Sequence, residues 1–446
     1  MTAAAARRLY TFGWYLALPW VVAYLLLRSL RQPRYRRNWR ERFLGLGPLP
    51  EGGRAAPSAG AQILWLHTVS VGETRAAQPL IERLAGRYPH AQFVLTHMTP
   101  TGREAALPVL QALAGRITQR YLPYDLPWAV HRFLAQVRPS ILILLETEIW
   151  PNLQFQAQRA GVPIVLVNAR LSERSLARTL RWPALMRPAA AALSAVAAQT
   201  QADRARWARL YQGPIHVTGN LKFDATPPPE LLERGRAWRR RLGGRSVWMF
   251  ASTREGEERV VVDALTAAIR AGASVPVLLF VPRHPQRFDE VARLLSALGS
   301  PLVRRGQFAS MPSDALVLLG DSMGEMPMYY AMADLALIGG SLAPLGGQNL
   351  IEACACGCPV LFGPHMFNFS QAAADALLCG AALQVGDAAS AVRTMLDLQS
   401  DPARREKMAR AALAFAQAHR GATERAIELI DDVLSAAVAA AVEHRR

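Results

Sequence analysis

The sequence predicts two doubly wound α/β domains that follow an N-terminal apolar segment. Its 446 residues exceed one ordinary domain and suit two domains of roughly 200 residues each. Short apolar, β-rich runs alternate with stretches of helical periodicity, which is the pattern of parallel strands joined by crossover helices. A break rich in proline and glycine at residues 226–245 separates two such series and indicates a linker.

The first series lies in residues 45–225 and opens with a loose Gly/Pro stretch from Gly45 to Gly60. Its strand candidates are Ile63–His67, Gln92–His97, Ile141–Leu145, Pro163–Asn168 and Ile215–Thr218. Ligands of doubly wound sheets bind at the C-terminal ends of the strands, so the loops that follow these runs are where we expect function.

The second series occupies residues 246–446 and ends in a long Ala-rich helical stretch that we assign to the same domain. Its strand candidates are Val247–Ala251, Val277–Val281, Ala315–Leu319, Leu335–Ile338 and Pro359–Phe362. Two tandem domains of this kind favour a ligand site in a cleft between them.

Residues 1–44 form an apolar anchor with a basic flank. The stretch Leu9 to Leu27 carries no charge and is long enough to cross a bilayer core, which takes about 20 residues. A signal peptide is disfavoured because the stretch runs into arginines and not into a small-residue cleavage site. These arginines are Arg28, Arg31, Arg34, Arg36, Arg37, Arg40 and Arg42. The positive-inside rule then places the C-terminal side in the cytoplasm, whether the segment spans the membrane or lies in it.

The net charge of +17 favours an anionic partner. We expect no nucleic acid, because the arginines are dispersed and no helix-turn-helix, zinc-finger or RNP-type motif is present. The basic residues concentrate beside the apolar segment, which favours an anionic membrane surface. The cysteines Cys354, Cys356, Cys358 and Cys379 are too closely spaced for a typical zinc site, so we interpret them as packing residues.

Three polar loops of the first series offer catalytic groups. In SVGE, Glu73 could act as a general base, or it could simply stabilise a helix N-terminus. In ETEIWPN, Glu146 and Glu148 could hold sugar hydroxyls or cap a helix. In GNLKFD, Lys222 could support Glu146 or be an ordinary surface lysine.

Loops of the second series have features that suit a nucleotide. Arg283 follows a strand, where a guanidinium suits phosphate, although it could also be a surface arginine. The segment GDSMGEM offers the amides of Met323 and Gly324 and the carboxylate of Glu325. In IGGSLAPLGGQNLIEA, glycines precede a helix that carries Glu352, an arrangement that can bind phosphate and ribose. A Gly-rich loop alone is weak support, because glycines also serve turns.

The ordered motifs of the chain resemble those of bacterial 3-deoxy-D-manno-octulosonic acid (Kdo) transferases over nearly its whole length. They are SVGET, MTPTGRE, LPYDLP, ETEIWPN, NARLS, GNLKFD, VPRHPQRF, GDSMGEM, GGSLAPLGGQNLIEA and GPHMFNF. The resemblance implies a GT-B glycosyltransferase fold, two Rossmann-like domains facing a cleft. It also implies metal-independent, inverting transfer of Kdo from CMP-Kdo to the lipid A precursor, lipid IVA, at the cytoplasmic face of the inner membrane, with no cofactor.

The resemblance also implies residue roles. Glu73 matches the general base, and Glu146 and Lys222 match residues that stabilise the transition state. The positions that match CMP-binding residues are Pro282, Arg283, Met323, Gly324, Glu325, Asn349, Leu350, Ile351 and Glu352. Some members have proline at the position of Leu350, a departure that leaves backbone contacts possible.

Two alternatives remain at this stage. Another enzyme of the same fold, such as a nucleotide-sugar 2-epimerase, would need no membrane anchor. A non-catalytic membrane-surface protein would not need glutamates and a lysine at strand ends.

Overall fold

A computed structural model describes residues 1–49, 62–308 and 311–443, which form two compact units. Unit 1 comprises Met1–Asp224 with Arg420–Arg446, and unit 2 comprises Ala225–His419. Most of the predicted Gly/Pro stretch, residues 50–60, lies outside the described residues, as do residues 444–446 of the predicted second domain.

Unit 1 contains a parallel sheet of seven strands in the order β3-β2-β1-β4-β5-β6-β7. The strands are β1 (Ile63–Thr68), β2 (Gln92–His97), β3 (Ile117–Tyr121), β4 (Ile141–Leu145), β5 (Ile164–Ala169), β6 (Ala195–Ala198) and β7 (Ile215–Val217). The chain builds one half of the sheet with β1 to β3 and then returns to the centre with β4. The topological switch point of this sheet therefore lies between β1 and β4.

Helices cover both faces of this sheet. They are α1 (Ala3–Arg31), α2 (Trp39–Leu44), α3 (Val71–Arg87), α4 (Pro100–Ala105), α5 (Leu107–Ala112), α6 (Pro127–Val137), α7 (Pro151–Arg159), α8 (Glu173–Thr179), α9 (Pro183–Ala191) and α10 (Gln201–Trp207). Leu64 and Leu66 of β1 belong to one core, whereas Trp65 belongs to the other. Because successive side chains point to opposite faces, both faces of a central strand must be apolar, as the sequence of β1 is.

Helix α1 extends the apolar segment predicted at Leu9 to Leu27 and packs along unit 1. Ala6, Leu25 and Ser29 are buried, and the Trp14 ring lies 5.8 Å from that of Tyr124. The opposite face exposes a row of large apolar side chains, which are Leu9, Phe12, Leu16, Trp20, Leu27 and Leu30. Among the described residues, α1 is the helix that is long and apolar enough to cross a membrane.

One arginine of the basic segment that follows α1 is buried and does not face solvent. Arg42 is buried, its guanidinium lies 3.6 Å from the centre of the Tyr121 ring, and its Nη1 donates to the carbonyl of Met98. Arg42 thus fixes α2 against the ends of β2 and β3. This arginine, which the sequence groups with the membrane-facing ones, has a packing role.

Unit 2 contains a second parallel sheet, in the order β10-β11-β9-β8-β12-β13-β14. Its strands are β8 (Val247–Thr253), β9 (Val277–Pro282), β10 (Leu302–Arg304), β11 (Val317–Leu319), β12 (Leu335–Ile338), β13 (Val360–Phe362) and β14 (Ala382–Gln384). β8 lies between β9 and β12, so the topological switch point lies between β8 and β12.

The residues predicted as a linker, 226–245, form part of unit 2. The helices of this unit are α11 (Pro229–Arg241), α12 (Glu257–Arg270), α13 (Phe288–Leu295), α14 (Met326–Met332), α15 (Leu350–Ala355), α16 (Ser370–Leu378), α17 (Ala388–Ser400) and α18 (Pro402–Ala418). α11 packs closely on α14 at Gly235. A Cβ at this position would lie 2.2 Å from the carbonyl oxygen of Met328, so the close packing depends on the missing side chain. The prolines and glycines of this segment indicated a linker, but its middle part is a packed helix in which Trp238 is buried.

The last helix, α19 (Ala422–Glu443), corrects the expected domain boundary. We assigned residues 246–446 to one domain, but α19 lies in unit 1. Ala426 and Ile430 pack in the core that contains Leu64 and Leu66 of β1. The Asp224 carboxylate accepts from the backbone N–H groups of Gly421 and Thr423, at 2.7 and 2.5 Å, and so holds the start of α19.

Candidate active site

The predicted catalytic residues of unit 1 lie at the C-terminal edge of its sheet. Glu73 lies in the first turn of α3, after β1, and Glu146 follows β4 directly. These are the two strands at the switch point, where open α/β sheets bind ligands. Lys222, in a short 3₁₀ turn after β7, reaches the same place, since its Nζ lies 3.1 Å from Oε1 of Glu146.

Glu73 is held by the start of its own helix. Its Oε2 accepts from the backbone N–H of Val69 at 2.8 Å, and its Oε1 accepts from the hydroxyl of Ser70 at 2.9 Å. The Ser70 hydroxyl oxygen in turn accepts from the N–H of Glu73, a reciprocal capping arrangement. Burial raises the pKa of Glu73, and the negative charge of Glu146 adds to this effect, whereas the Val69 and Ser70 hydrogen bonds and Lys222 oppose it. A raised pKa makes this carboxylate a stronger base.

Glu146 is the carboxylate with two cationic partners. Lys222 binds Oε1, and Nε of Arg170 binds Oε2, each at 3.1 Å. The backbone of Glu146 adopts a φ of 59°, in the left-handed region, which costs a non-glycine residue roughly 1–2 kcal/mol. Such strain persists where the surroundings fix it, and it is concentrated at functional sites.

Two further residues belong to this cluster. The sequence offered Glu148 as an acid that holds sugar hydroxyls or caps a helix, and it gave Arg170 no site role. Glu148 accepts from Nε1 of Trp150 at 2.6 Å. Burial raises its pKa to about 7, with a further contribution from the negative charges of Glu73 and Glu146. Arg170 follows β5 in the NARLS motif, and its strand-end position was the signal that could have identified it.

The charges of this cluster are unequal. Glu73, Glu146 and Glu148 supply three carboxyl groups, and Lys222 and Arg170 supply two cations, both of which bind Glu146. In the described part of the chain, the hydrogen bonds to the Glu73 and Glu148 carboxylates come from Val69, Ser70 and Trp150, which are neutral, and the pKa values of both glutamates are raised. With a pKa of about 7, Glu148 can hold or release a proton near neutral pH, and the raised pKa of Glu73 makes its carboxylate a stronger base.

Two nearby strand histidines are unsuited to this work. His67 and His97 are buried, and burial lowers their pKa values to about 4 and about 3. His97 Nδ1 lies 2.9 Å from the Thr68 hydroxyl, and His67 Nδ1 lies 2.9 Å from that of Thr96. They stay neutral and join neighbouring strands.

In unit 2, the Gly-rich loop lies at the switch point between β8 and β12. Glu257, the first residue of α12, joins the two strand-end loops through its buried carboxylate. Oε2 accepts from the N–H groups of Arg254 at 2.9 Å and Gly340 at 2.6 Å, and Oε1 accepts from that of Leu342 at 3.0 Å. Glu257 was not identified from the sequence, because no local pattern shows which distant amides a glutamate will bind.

Pro282 and Arg283 lie where the sequence predicts, at the end of β9. Pro282 is the last residue of the strand, and the N–H of Arg283 donates to the carbonyl of Thr253 at 3.0 Å. This bond joins the end of β9 to that of β8 and places Arg283 at the edge that carries the Gly-rich loop.

Met323, Gly324 and Glu325 follow β11. Met323 is exposed, and Gly324 adopts a φ of 83° with no atom near the position that a Cβ would take. Glu325 differs, since its carboxylate accepts from both Nε and Nη2 of Arg305 at 2.9 Å and from Nη2 of Arg234 at 2.7 Å. Burial alone would raise the pKa of Glu325, but Arg305, Ser322 and Arg234 lower it overall. Its carboxylate fixes this loop and keeps two guanidinium groups beside it.

Asn349 to Glu352 form the start of α15. The side chain of Asn349 caps this helix by accepting from the N–H of Ile351 at 3.1 Å. Leu350 and Ile351 are buried, so they can offer a ligand only their backbone groups. Glu352 is half-buried in the first turn. Within residues 1–49, 62–308 and 311–443, no group of three His, Cys, Asp or Glu side chains is placed to hold a metal ion.

Comparison with known proteins identifies the family. A family model described as 3-deoxy-D-manno-octulosonic-acid transferase matches residues 37–225, and one described as glycosyl transferases group 1 matches residues 309–415. The chain is 47% identical over 387 residues to the 3-deoxy-D-manno-octulosonic acid transferase of Bordetella pertussis. The aligned residues cover 86% of this chain and 90% of that protein.

The chain belongs to the 3-deoxy-D-manno-octulosonic acid transferase family. It is also 34% identical over 439 residues to the family member from Haemophilus influenzae, across 96% of this chain and 99% of that protein. This Kdo transferase is therefore a glycosyltransferase, and the family predicted from its motifs is confirmed.

Solved structures confirm the GT-B type of fold for this Kdo transferase. A glycosyltransferase from Rickettsia africae matches with a TM-score of 0.58 at 11% identity, over 84% of this chain and 99% of that chain. The UDP-GlcNAc 2-epimerase from Neisseria meningitidis matches with a TM-score of 0.55 at 16% identity, over 83% and 100%. Since transferases and epimerases share this fold, the fold does not choose between them, whereas the family does.

Proposed function

We propose that the protein is an inverting glycosyltransferase that moves Kdo from CMP-Kdo to a hydroxyl of the lipid A precursor, lipid IVA. Family membership supports the Kdo chemistry and the assignment to lipopolysaccharide assembly. The observation that carries the mechanism is the carboxylate cluster at the switch point of unit 1, in which Glu73 has a raised pKa and accepts hydrogen bonds from the neutral groups of Val69 and Ser70.

Glu73 acts as the general base in this proposal. Kdo is joined to CMP through its anomeric carbon, so departure of CMP builds positive charge on the sugar. The acceptor hydroxyl attacks from the opposite face, its proton passes to Glu73, and the anomeric configuration inverts. The capping bonds from Val69 and Ser70 orient the carboxylate without neutralising it.

Glu146 and Lys222 stabilise the transition state in this proposal. The Glu146 carboxylate can interact with the developing positive charge of the sugar. Lys222 and Arg170 can bind the negatively charged carboxylate of Kdo, or they can hold Glu146 in its strained conformation. The ion pairs with Glu146 are needed for the second role, and they keep both cations at the strand ends for the first.

The donor binds unit 2 in this proposal. Arg283 binds the phosphate of CMP, with amides of Met323 and Gly324 and of the stretch from Asn349 to Ile351. Glu352 accepts from the ribose hydroxyls, and Pro282 and Glu325 shape the neighbouring loops. Developing charge on the leaving phosphate is met by these donors, so we propose that no metal ion is needed.

Helix α1 anchors the protein to the cytoplasmic face of the inner membrane in this proposal. Its buried positions run from Ala6 to Ser29, which is about 35 Å of helix at about 1.5 Å per residue. A helix held against a folded unit over this length cannot cross a bilayer without taking that unit into the lipid. We therefore propose that α1 lies in the membrane plane, with the face around Leu16 and Trp20 in the lipid and the neighbouring arginines at anionic headgroups.

The test is release of CMP from CMP-Kdo by the purified full-length protein, with and without lipid IVA and with EDTA present. We expect acceptor-dependent release that EDTA does not stop. Glu73→Gln should lower kcat by at least about 100-fold, on the scale of the loss of a general base. Glu82→Gln is the matched control, because Glu82 is exposed on the same helix. Near-normal turnover of folded Glu73→Gln protein would remove Glu73 from this role, and release that EDTA abolishes would contradict metal independence.

A further inference from the structure

The LPYDLP motif contains a buried carboxylate that the proposed chemistry does not use. Asp125 follows β3 and is 1% exposed. Its Oδ2 accepts from the N–H of Asn152 at 3.0 Å, and its Oδ1 accepts from the N–H of Leu153 at 2.7 Å. These are N–H groups of the first turn of α7, and Trp150, the residue at the N-cap of α7, makes no capping bond with its side chain. Asp125 therefore caps α7 from a distant part of the chain.

The same carboxylate binds the membrane helix. The hydroxyl of Tyr10 in α1 donates to Oδ2 of Asp125 at 2.9 Å. Beside it, Nδ2 of Asn152 donates to the hydroxyl oxygen of Thr11 at 3.1 Å and to the carbonyl of Asp125 at 2.7 Å. Tyr10, Thr11, Asp125 and Asn152 form one network, which we call the latch.

The latch lies next to the carboxylate cluster along the chain. α7 begins at Pro151, directly after the loop from Glu146 to Trp150. Trp150 donates to Glu148, whose pKa is raised by burial and, to a smaller extent, by the negative charges of Glu73 and Glu146. Any shift of the first turn of α7 therefore moves Trp150 and Glu148 relative to the proposed base.

We propose that Tyr10 and Asp125 are positioning residues through which the seating of α1 on unit 1 sets the geometry of the Glu146 to Trp150 loop. The anchor then has two functions, since it holds the protein at the lipid and it orders the carboxylate cluster. This inference rests on the proposed Kdo transfer. It predicts that unseating α1 slows the reaction even where the acceptor is supplied in detergent micelles and membrane binding plays no part.

The test compares Tyr10→Phe, which removes a single hydroxyl, with Tyr15→Phe, which alters an exposed tyrosine of the same helix. Full-length proteins are assayed with lipid IVA in detergent micelles for kcat and for the KM of CMP-Kdo, and by flotation with anionic phospholipid vesicles. For Tyr10→Phe we expect kcat to fall about 10-fold, the scale of one hydrogen bond to a charged group. The KM of CMP-Kdo and vesicle binding should stay close to the wild-type values, the thermal midpoint should fall by only a few degrees, and Tyr15→Phe should match the wild type throughout.

Amide hydrogen exchange of the 146–153 segment gives a readout that does not depend on activity. Exchange at Asn152 and Leu153 should be faster in Tyr10→Phe than in the wild type, and unchanged in Tyr15→Phe. An unchanged kcat and unchanged exchange in Tyr10→Phe would overturn the latch, as would reduced vesicle binding with a normal kcat in micelles, since α1 would then be a tether only. A wild type that transfers no Kdo would instead contradict the proposed function, and the exchange data would still decide the latch.

Discussion

Burial and two neighbouring carboxylates raise the pKa of Glu148 into the neutral range. Its pKa rises from 4.5 to about 7, whereas its one side-chain hydrogen bond, from Trp150, opposes the rise. A carboxyl group whose pKa is higher in the folded state binds its proton more tightly there than in the unfolded chain. The contribution of Glu148 to stability is therefore most favourable below the unfolded pKa, and it is lost as the pH rises through about 7.

Glu148→Gln should remove this pH dependence, because the amide resembles the protonated acid and can still accept from Trp150. We expect the thermal midpoint of the variant to exceed that of the wild type at pH 8 and to equal it near pH 4, below the unfolded pKa of 4.5. Calorimetry at the two pH values, with Glu82→Gln as the control, measures the difference. An equal shift at both pH values would contradict the assigned pKa.

The sequence identified individual site residues where they lie in a recognisable motif. Glu146 and Lys222 are paired as the motifs suggest. The strand-end position of Arg170 is visible in the sequence, but its pairing with Glu146 is not. The proton-holding role of Glu148 likewise depends on burial and on partners that one sequence does not reveal. The structure is compatible with both interpretations of Glu73, as a helix-capping acid and as a general base, since it caps α3 and has a raised pKa. Its role as a base stays a prediction.

At the scale of elements, the loops at the two switch points depend on remote hydrogen bonds for their shape. In unit 2, Glu257 joins the loop after β8 to the Gly-rich loop after β12. A Gln side chain has one acceptor oxygen in place of two, so at least one of these buried N–H groups would lose its partner, at a cost of about 1–3 kcal/mol. The Gly-rich loop is where we propose that CMP binds.

Glu257→Gln should therefore raise the KM for CMP-Kdo about 10-fold or more and change kcat less, because the donor loop would be ordered less well. Glu255→Gln is the matched control, since Glu255 lies in the same loop, is exposed and pairs only with Arg254 among the contacts described. Steady-state kinetics with varied CMP-Kdo makes the comparison. A KM equal to that of the control would show that Glu257 does not order the donor site.

Sequence patterns located the central strands well and missed strands near the sheet edges. β1, β2, β4 and β5 are apolar because both of their faces are covered, so their runs are distinct. β3 reads Ile-Thr-Gln-Arg-Tyr and β6 reads Ala-Val-Ala-Ala, and neither shows an apolar run typical of a strand. The segment of α11 was predicted as a linker from its flanking prolines and glycines, because one sequence does not show that this helix packs on α14.

At the scale of the molecule, contacts between distant parts of the chain determined what the sequence could not. The C-terminal helix α19 packs in unit 1, because Asp224 holds its start and Ile430 enters the core around β1. Periodicity predicts that such a helix has an apolar face, but it does not identify the domain that covers this face. The length and the flanking arginines of the apolar helix α1 are likewise evident in the sequence, whereas its seating on unit 1 required the structure.

The exposed face of α1 should bind lipid. Leu16→Glu places a charge on this face, so we expect it to abolish flotation with anionic vesicles while the thermal midpoint stays unchanged. Val438→Glu is the control, because Val438 is an exposed apolar residue on α19 of the same unit. Flotation of Leu16→Glu protein at the wild-type level would show that this face does not contact the membrane.

The most direct test of the central claim is mass spectrometry of lipid IVA after incubation with CMP-Kdo and the purified full-length protein. The proposal predicts that the wild type and Glu82→Gln add the mass of Kdo to the lipid, and that Glu73→Gln leaves nearly all of it unmodified under the same conditions. Unmodified lipid with folded wild-type protein, or full conversion by Glu73→Gln at the wild-type rate, would contradict it.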